Sequence, residues 1–364
     1  MDRGRISCLQ LAFLMFQCVL GSSVLLMPSI TTSLSGRDMW MTPIVASIGG
    51  YFIVWLAVRL YRISPQGSIQ KLLELVFGKL LGKTFGLLFL LFQIHILSIV
   101  IRDYSDFILS NFFFKTPLLL ITGSMALLCA WVVREGVEVL ARCSQIFLPV
   151  GLLFTLLTFI FLIPELTPNK ILPVFEQGMR PLLKGSIVVE GWFCQFTLVI
   201  YFLPRIKDEK KILKWGVLSV TGVGVMMLAV NSLVFMLLGD SSSYYNYPVF
   251  MAARYISLAD FFEHVEAMLM MVWVLAAFIK ISVFYYAISI GCTECLGLKS
   301  YKVIVLPIGL LVMVASFWSA RDFQVLASFV STTGTIYILV GYMVFPCLVY
   351  ITASIKKRLF AHLF

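Results

Sequence analysis

Charged residues are scarce in this sequence. Only 13% of the 364 residues are Asp, Glu, Lys or Arg, whereas 60% are hydrophobic. A soluble domain carries about 25% charged residues, so the composition excludes a soluble globular fold. The mean hydropathy of +0.99 agrees with this conclusion. We therefore predict an all-α polytopic membrane protein, because helices satisfy their own backbone hydrogen bonds within lipid.

Motifs for metal binding and catalysis are also missing. The eight cysteines lie mostly inside apolar runs, where Cys acts as a small hydrophobe, so no disulfide framework is predicted. Cys292 and Cys295 have the CxxC spacing, but no second Cys/His pair accompanies them. Glu263, His264 and Glu266 are interpreted as a solvated interface. Without a nucleophile–base pair or a phosphate-binding glycine loop, we predict neither an enzyme nor a cofactor.

What the sequence has instead is ten apolar runs, each near the length of about 20 residues that crosses a bilayer. We number them as spans 1 to 10. They are predicted at 6–28, 40–61, 84–101, 117–133, 144–163, 184–203, 215–238, 266–290, 303–318 and 333–354. No shift in composition marks off a soluble region, so residues 1–364 are predicted to form a single integral membrane domain.

Basic residues give the chain a net charge of +10, and they lie in short clusters between the spans. This distribution is typical of membrane topology and argues against nucleic-acid binding. Lys and Arg are concentrated in the connections that share a side with the N-terminus. The positive-inside rule then predicts that both termini are cytoplasmic. On the outer side, the apolar spacing after Pro248 predicts a short helix.

Span 1 contains Gly21-Ser22-Ser23 where leucines would make a better membrane helix. Small residues often serve only to let two helices pack closely. Span 6 favours a second interpretation, because it carries Glu190-Gly191 near its middle. Spans 1–5 and 6–10 would then be two halves, about 6–163 and 184–354, whose first helices are both interrupted. Paired interruptions of this kind indicate a transporter-type binding site lined by unwound backbone.

The stretch Gln10–Phe16 leading into Leu20–Pro28, together with Glu190-Gly191-Trp192-Phe193, resembles a known family. The sequence is similar, over essentially its whole length, to the B-subunits of GerA-type spore germinant receptors. These belong to the amino acid–polyamine–organocation permease superfamily. The resemblance implies a LeuT-like 5+5 inverted repeat with ten transmembrane helices, of which helices 1 and 6 are unwound.

The same resemblance implies a function. The chain would bind a small-molecule germinant, often an amino acid, and act with an A-subunit and a lipoprotein C-subunit in the spore inner membrane. The alternative is a proton-coupled amino acid secondary transporter in the cell membrane. The basic loops are interpreted as contacts with lipid headgroups or partner subunits.

The binding pocket is expected between spans 1 and 6, flanked by spans 3 and 8. The predicted ligand-binding residues are Gly21, Ser22, Ser23, Val24, Glu190, Gly191, Trp192, Phe193 and Tyr285.

Ionisable residues within spans are costly and are functional candidates by default. Glu190, Lys280 and His95 are predicted to serve ion or proton coupling, or to act as structural polar groups. Three interpretations of Lys280 stay open: an ammonium in a cation site, a salt bridge to Glu190, or snorkelling to the membrane surface. Gln17 and Asn231 are expected to make hydrogen bonds between helices.

Overall fold

The computed structural model describes residues 4–64, 69–254 and 265–359. Glu263 and His264 lie outside the described residues. Among the described residues, nine apolar helical segments are long enough to cross a membrane, and the first, Cys8–Ile63, contains two spans joined by a 3-10 turn. All ten predicted spans are therefore helical in the described part of the chain. Their bounds are Cys8–Ser35, Thr42–Ile63, Lys79–Asn111, Leu118–Glu135, Val137–Leu162, Met179–Phe193 with Cys194–Tyr201, Ile212–Leu238, Val265–Leu296, Lys302–Ser319, and Thr333–Leu339 with Val340–Val344 and Phe345–Leu359.

Short helices lie between the spans. The segment expected after Pro248 is helical over Pro248–Arg254. Ile69–Phe77 precedes span 3, and Phe323–Ser331 precedes span 10.

Span 1 does not end at Pro28 as predicted but continues as one α-helix to Ser35. Proline lacks the amide hydrogen that would bond the carbonyl one turn earlier. The hydroxyls of Thr31 and Thr32 donate to the carbonyls of Met27 and Pro28, which satisfies backbone acceptors in the turn that follows. The helix is also continuous through Gly21-Ser22-Ser23, so the predicted unwinding of span 1 is wrong.

Span 6 does change its helical type. It is α-helical to Phe193 and continues as a 3-10 helix over Cys194–Tyr201. Runs of 3-10 helix longer than three or four residues are uncommon and often mark a functional hinge or strain. The predicted interruption of span 6 is therefore present, but as a tighter winding three residues beyond Gly191 rather than as an unwound segment.

Span 1 is the central helix, packed against spans 5, 6, 7 and 8. Its first residues are tied to the segment that follows span 6. The Ile6 amide donates to the Arg205 carbonyl at 2.9 Å, and the Lys207 amide donates to the Ile6 carbonyl at 3.0 Å. The carboxylate of Asp208 accepts from the Cys8 amide at 2.8 Å, where span 1 begins. Spans 1 and 6 are thus joined at this end of the molecule.

The two expected interhelical hydrogen bonds are confirmed. Gln17 donates from its amide to the hydroxyl and carbonyl oxygens of Ser144 in span 5, at 2.7 and 2.9 Å. Asn231 in span 7 donates to the Met39 carbonyl at 2.9 Å and to the Thr31 hydroxyl at 3.3 Å. Both residues fasten span 1 or the turn after it to a neighbouring span.

Candidate functional site

A cavity of about 570 Å³ lies between spans 1, 3 and 6, the short helix Phe323–Ser331 and the start of span 10. We call this cavity the pocket. Most of its wall is aliphatic or aromatic. Its polar side chains are Ser22, Asp103, Trp192, Gln195 and Thr335. An apolar pocket with a few convergent polar groups is the usual form of a small-molecule site. The pocket lies between spans 1 and 6, where the binding site is predicted, but its wall contains span 10 and not span 8.

Asp103 is the acidic residue of the pocket, and it was not predicted from the sequence. It lies within span 3 and is only 4% exposed. Its Oδ1 atom has no hydrogen-bond partner among the described residues. Its neighbour Arg102 points elsewhere and forms an ion pair with Asp106 at 2.9 Å. A buried carboxylate is costly unless a cation or donor meets it, so Asp103 is suited to receive an ammonium group from a ligand.

Lys280 lies directly behind the pocket and is fully buried. Its ammonium donates to the Gln195 side-chain oxygen at 2.7 Å and to the Cys18 carbonyl at 3.1 Å. It therefore links span 8 to spans 6 and 1. The ammonium also lies 5.7 Å from the centre of the Phe284 ring. Because the residue is fully buried, the snorkelling interpretation is wrong.

The proposed salt bridge between Lys280 and Glu190 is also wrong. The Lys280 ammonium is bonded to Gln195 and Cys18 instead. Glu190 instead faces span 2, where its carboxylate fills the space that a Cβ at Gly49 would need. It accepts a hydrogen bond from the Cys194 thiol at 3.5 Å. Glu190 is not part of the pocket wall.

Gly21 is a packing residue. A Cβ at this position would lie 2.8 Å from the Ala276 carbonyl oxygen and 3.1 Å from the Lys280 Cβ. The absence of a side chain lets spans 1 and 8 approach closely, which brings the Lys280 ammonium to the Cys18 carbonyl. Gly21 thus supports the pocket from behind instead of contacting its interior.

Ser22, Gly191 and Trp192 do line the pocket, as predicted. The Trp192 indole donates to the Ser22 hydroxyl at 3.1 Å, so this bond joins spans 1 and 6 in the pocket wall. Gly191 has open space beside it, since a Cβ there would meet nothing nearer than Ile338 at 3.9 Å.

The remaining predicted ligand residues lie elsewhere. Ser23 is buried and its hydroxyl has no partner among the described residues. Val24 lines a second cavity on the other side of span 1. Phe193 packs near Gly50 of span 2. The Tyr285 hydroxyl donates to the Val305 carbonyl of span 9. Successive residues of a helix point to different faces and so meet different neighbouring helices. Predicted ligand residues that are adjacent in sequence therefore do not all lie in one site.

His95 sits beside the pocket rather than in it. Its Nδ1 atom lies 3.2 Å from the Tyr337 hydroxyl in span 10. Its ring is 6.1 Å from the ring of Phe329, which lines the pocket. This contact joins span 3 to span 10, as expected of a structural polar group. Its role in proton transfer stays a prediction.

Sequence reasoning missed Asp103, Gln195 and Thr335. The predicted span 3 ends at residue 101, just before its first charged residues, and so leaves Asp103 outside the helix. The structure carries span 3 on to Asn111 and buries both Arg102 and Asp103. The available signal was the spacing of Arg102 and Asp106 by four residues, which allows an ion pair along a helix. Gln195 and Thr335 gave no comparable signal.

A family model described as "Spore germination protein" matches residues 5–324. The chain belongs to this family. Among the family's curated proteins, Spore germination protein KB of Bacillus subtilis strain 168 is 25% identical over 98% of this chain and 97% of its own length. Spore germination protein XB of Bacillus anthracis is 21% identical over 70% of this chain and 71% of its own length. The resemblance to B-subunits of GerA-type germinant receptors is confirmed.

Solved structures show the same fold as this family member. A Na⁺-coupled sialic acid symporter in a substrate-bound outward-open state superposes with a TM-score of 0.67 and 15% identity, covering 99% of this chain and 91% of that one. MhsT in complex with L-phenylalanine superposes with a TM-score of 0.64 and 14% identity, covering 97% and 90%. The LeuT-like 5+5 architecture with ten spans is thereby confirmed. The repeat boundaries at about 6–163 and 184–354 stay a prediction.

Proposed function

We propose that the chain is the ligand-sensing subunit of a spore germinant receptor, and that its ligand is a small amino acid bound in the pocket. The observation that carries this proposal is the buried, unpartnered Oδ1 atom of Asp103 in a mainly apolar cavity. An ammonium group of the ligand would supply the hydrogen-bond donor that this oxygen lacks.

Gln195 provides the complementary donor. The Lys280 ammonium can donate hydrogen bonds but cannot accept them. The Gln195 atom that faces it in span 8 is therefore the side-chain oxygen. The amide nitrogen is then the end left to donate to a ligand carboxylate. The aliphatic wall, including Ile99 and Ile338, suits an apolar side chain. Ser22, Gly191 and Trp192 would enclose the ligand between spans 1 and 6.

Signalling would follow from the same arrangement. The pocket wall belongs to five elements, and a ligand that touches all of them can favour one relative position of spans 1 and 6. We propose that this shift is transmitted to an A-subunit and a lipoprotein C-subunit. The proposed location is the spore inner membrane, with both termini cytoplasmic and the basic loops at the lipid headgroups.

Binding of labelled amino acids to the purified chain in lipid nanodiscs tests this proposal. Replacing Asp103 by Asn keeps the shape of the side chain but removes its charge. We expect a loss of at least tenfold in affinity, since truncating one side of a buried charge pair is costly. The control is Glu138→Gln, which removes a carboxylate of similar chemistry from the exposed pair with Arg142. Equal affinities for both variants would contradict the proposal.

Uptake of the amino acid by the same protein in liposomes distinguishes the sensor from the alternative function, proton-coupled transport. Accumulation of the amino acid driven by a proton gradient would identify a transporter and make Glu190 and Lys280 its candidate proton carriers. Saturable binding without accumulation would support a sensor.

A further inference from the structure

A second, larger cavity lies on the opposite face of span 1 from the pocket. It encloses about 990 Å³ up to its open mouth, between spans 1, 5, 7 and 8 and the short helix Pro248–Arg254. We call it the lateral cavity. Phe16, Leu20 and Val24 of span 1 form its rear wall, whereas Ser22 and Leu26 of the same helix line the pocket.

The polar side chains in its wall, apart from the Trp273 indole, are already hydrogen-bonded within the protein. Gln17 donates to Ser144, and the hydroxyls of Thr155 and Thr158 donate to carbonyls one turn earlier in span 5. The indole nitrogen of Trp273 has no partner among the described residues. One free donor does not hold a buried water, which needs two to four polar partners. The lateral cavity is therefore suited to hydrocarbon rather than to water or a polar ligand.

The mouth of the lateral cavity faces the membrane. Span 5 packs on spans 1 and 8 but scarcely touches span 7, so a gap separates spans 5 and 7. Phe16 and Val24, behind this gap, are only half-buried although span 1 is the central helix. The outer faces of the flanking helices are apolar and exposed, with Leu156 at 52% and Val225 at 62%.

The gap is closed at one end by an apolar cluster. Leu162 of span 5, Leu233 of span 7 and Ala252 of the short helix Pro248–Arg254 pack together there. The remaining opening therefore points sideways, along the length of two helices whose exposed surfaces are apolar. In a bilayer, this is the depth at which lipid tails lie.

We propose that the lateral cavity binds one acyl chain of a membrane lipid, which enters between spans 5 and 7. The argument rests on the apolar wall, the satisfied polar groups and the sideways mouth. The bound chain would contact Phe16, Leu20 and Val24, and so would pack against the helix whose other face forms the pocket.

Quenching of tryptophan fluorescence by lipids with brominated acyl chains tests this proposal. Trp273 in the lateral cavity and Trp192 in the pocket are both 5% exposed, so they form a matched pair. Variants that keep one of the seven tryptophans, with Phe at the others, would be reconstituted in brominated phosphatidylcholine. We expect Trp273 to be quenched at least about half as strongly as Trp131, which is 67% exposed. Trp192 should stay close to unquenched.

Filling the cavity should abolish the effect. Gly151 lines the lateral cavity, and a Cβ there would meet nothing nearer than Val272 at 3.5 Å. Gly151→Leu should reduce quenching of Trp273 to the level of Trp192 and leave Trp131 unchanged. Gly123→Leu is the matched control, since Gly123 in span 4 has similar space but does not line the cavity. If Gly151→Leu does not fold, Val230→Phe fills the same space.

The proposal is overturned if brominated lipids leave Trp273 unquenched in the unfilled protein. It is also overturned if water-soluble acrylamide quenches Trp273 as strongly as it quenches a solvent-exposed indole, because the cavity would then be aqueous. Quenching that persists undiminished in both Gly151→Leu and Val230→Phe would contradict the assignment of the chain to this cavity.

Discussion

Gly21 of span 1 and Gly191 of span 6 are alike in sequence, since each lies beside polar atoms in the first span of a half. Their surroundings differ. A Cβ on Gly21 would meet the Ala276 carbonyl oxygen at 2.8 Å, whereas a Cβ on Gly191 would meet nothing nearer than 3.9 Å. The first glycine permits close helix packing, and the second leaves open space in the pocket. A glycine in a membrane helix therefore does not reveal by itself whether it serves packing or a ligand.

The helices that carry these two glycines also differ in their winding. Span 1 keeps its α-helical winding through Gly21, while span 6 changes to a 3-10 helix just after Gly191. Span 1 carries the Cys18 carbonyl that accepts from the Lys280 ammonium. The 3-10 part of span 6 carries Gln195, whose side-chain oxygen accepts from the same ammonium. The pocket is thus built on one regular and one irregular helix, joined through span 8.

The largest expected effect comes from placing the same substitution at both glycines. Gly21→Ala forces a methyl group against the backbone of span 8, and overpacking of this kind typically costs about 1–3 kcal/mol. Gly191→Ala gains the higher helix propensity of Ala, about 1 kcal/mol, without a clash. Thermal unfolding in detergent should therefore show a lower Tm for Gly21→Ala and an equal or higher Tm for Gly191→Ala. Equal losses of Tm would show that both glycines are required for close helix packing.

Lys280→Met sharpens the comparison between spans 1 and 6, because it removes the group that ties them to span 8. The substitution removes the cost of burying a charge, but it leaves the buried oxygens of Gln195 and Cys18 without a donor. An unsatisfied buried acceptor costs about 1–3 kcal/mol, so we expect a lower Tm. The amide of Gln195 is also no longer held toward the ligand. We expect about a tenfold loss of ligand affinity, measured by binding in nanodiscs. Unchanged affinity together with a lower Tm would indicate a purely structural lysine.

The control for this variant is Lys170→Met. The Lys170 ammonium donates to the Leu237 carbonyl at the end of span 7, away from the pocket. The Lys170→Met variant should bind the ligand with unchanged affinity. A similar loss of affinity in both variants would indicate a general effect of removing a lysine.

A third comparison separates two neighbouring serines. Ser22→Ala leaves the buried Trp192 indole without its acceptor, which costs about 1–3 kcal/mol. Ser23→Ala removes a buried hydroxyl that has no partner among the described residues, and it should be neutral or slightly stabilising. The free energies of unfolding of the two variants are compared by chemical denaturation under the same conditions. A larger loss from Ser23→Ala would mean that its hydroxyl has a partner in the membrane-embedded protein.

The sequence predicted the spans well but misjudged their ends. Span 3 runs from Lys79 to Asn111, well beyond the predicted 84–101. A hydropathy pattern ends a span at its first charge, yet Arg102 and Asp106 neutralise each other on one helix face and can be buried together. This error hid Asp103, the residue on which the proposed ligand site most depends.

Of the ligand-binding residues predicted from the sequence, Ser22, Gly191 and Trp192 line the pocket, and their contact with a ligand stays a prediction. The sequence could not assign the partners of Glu190 and Lys280. Each needs a partner because a charge in hydrocarbon is costly, but several polar groups were available on other spans. Glu190 lies against span 2 and Lys280 binds spans 1 and 6. Rotation of each helix about its axis decided between these options.

By itself the sequence determined the membrane location, the ten helices and the family, because hydrophobic length and local backbone hydrogen bonding are properties of single segments. The tertiary structure decided which face of each helix meets which neighbour. It turned Gly21 toward span 8, Glu190 toward span 2 and Asp103 into the pocket. These choices depend on close packing between helices that are distant in sequence, which a hydrophobic pattern does not specify.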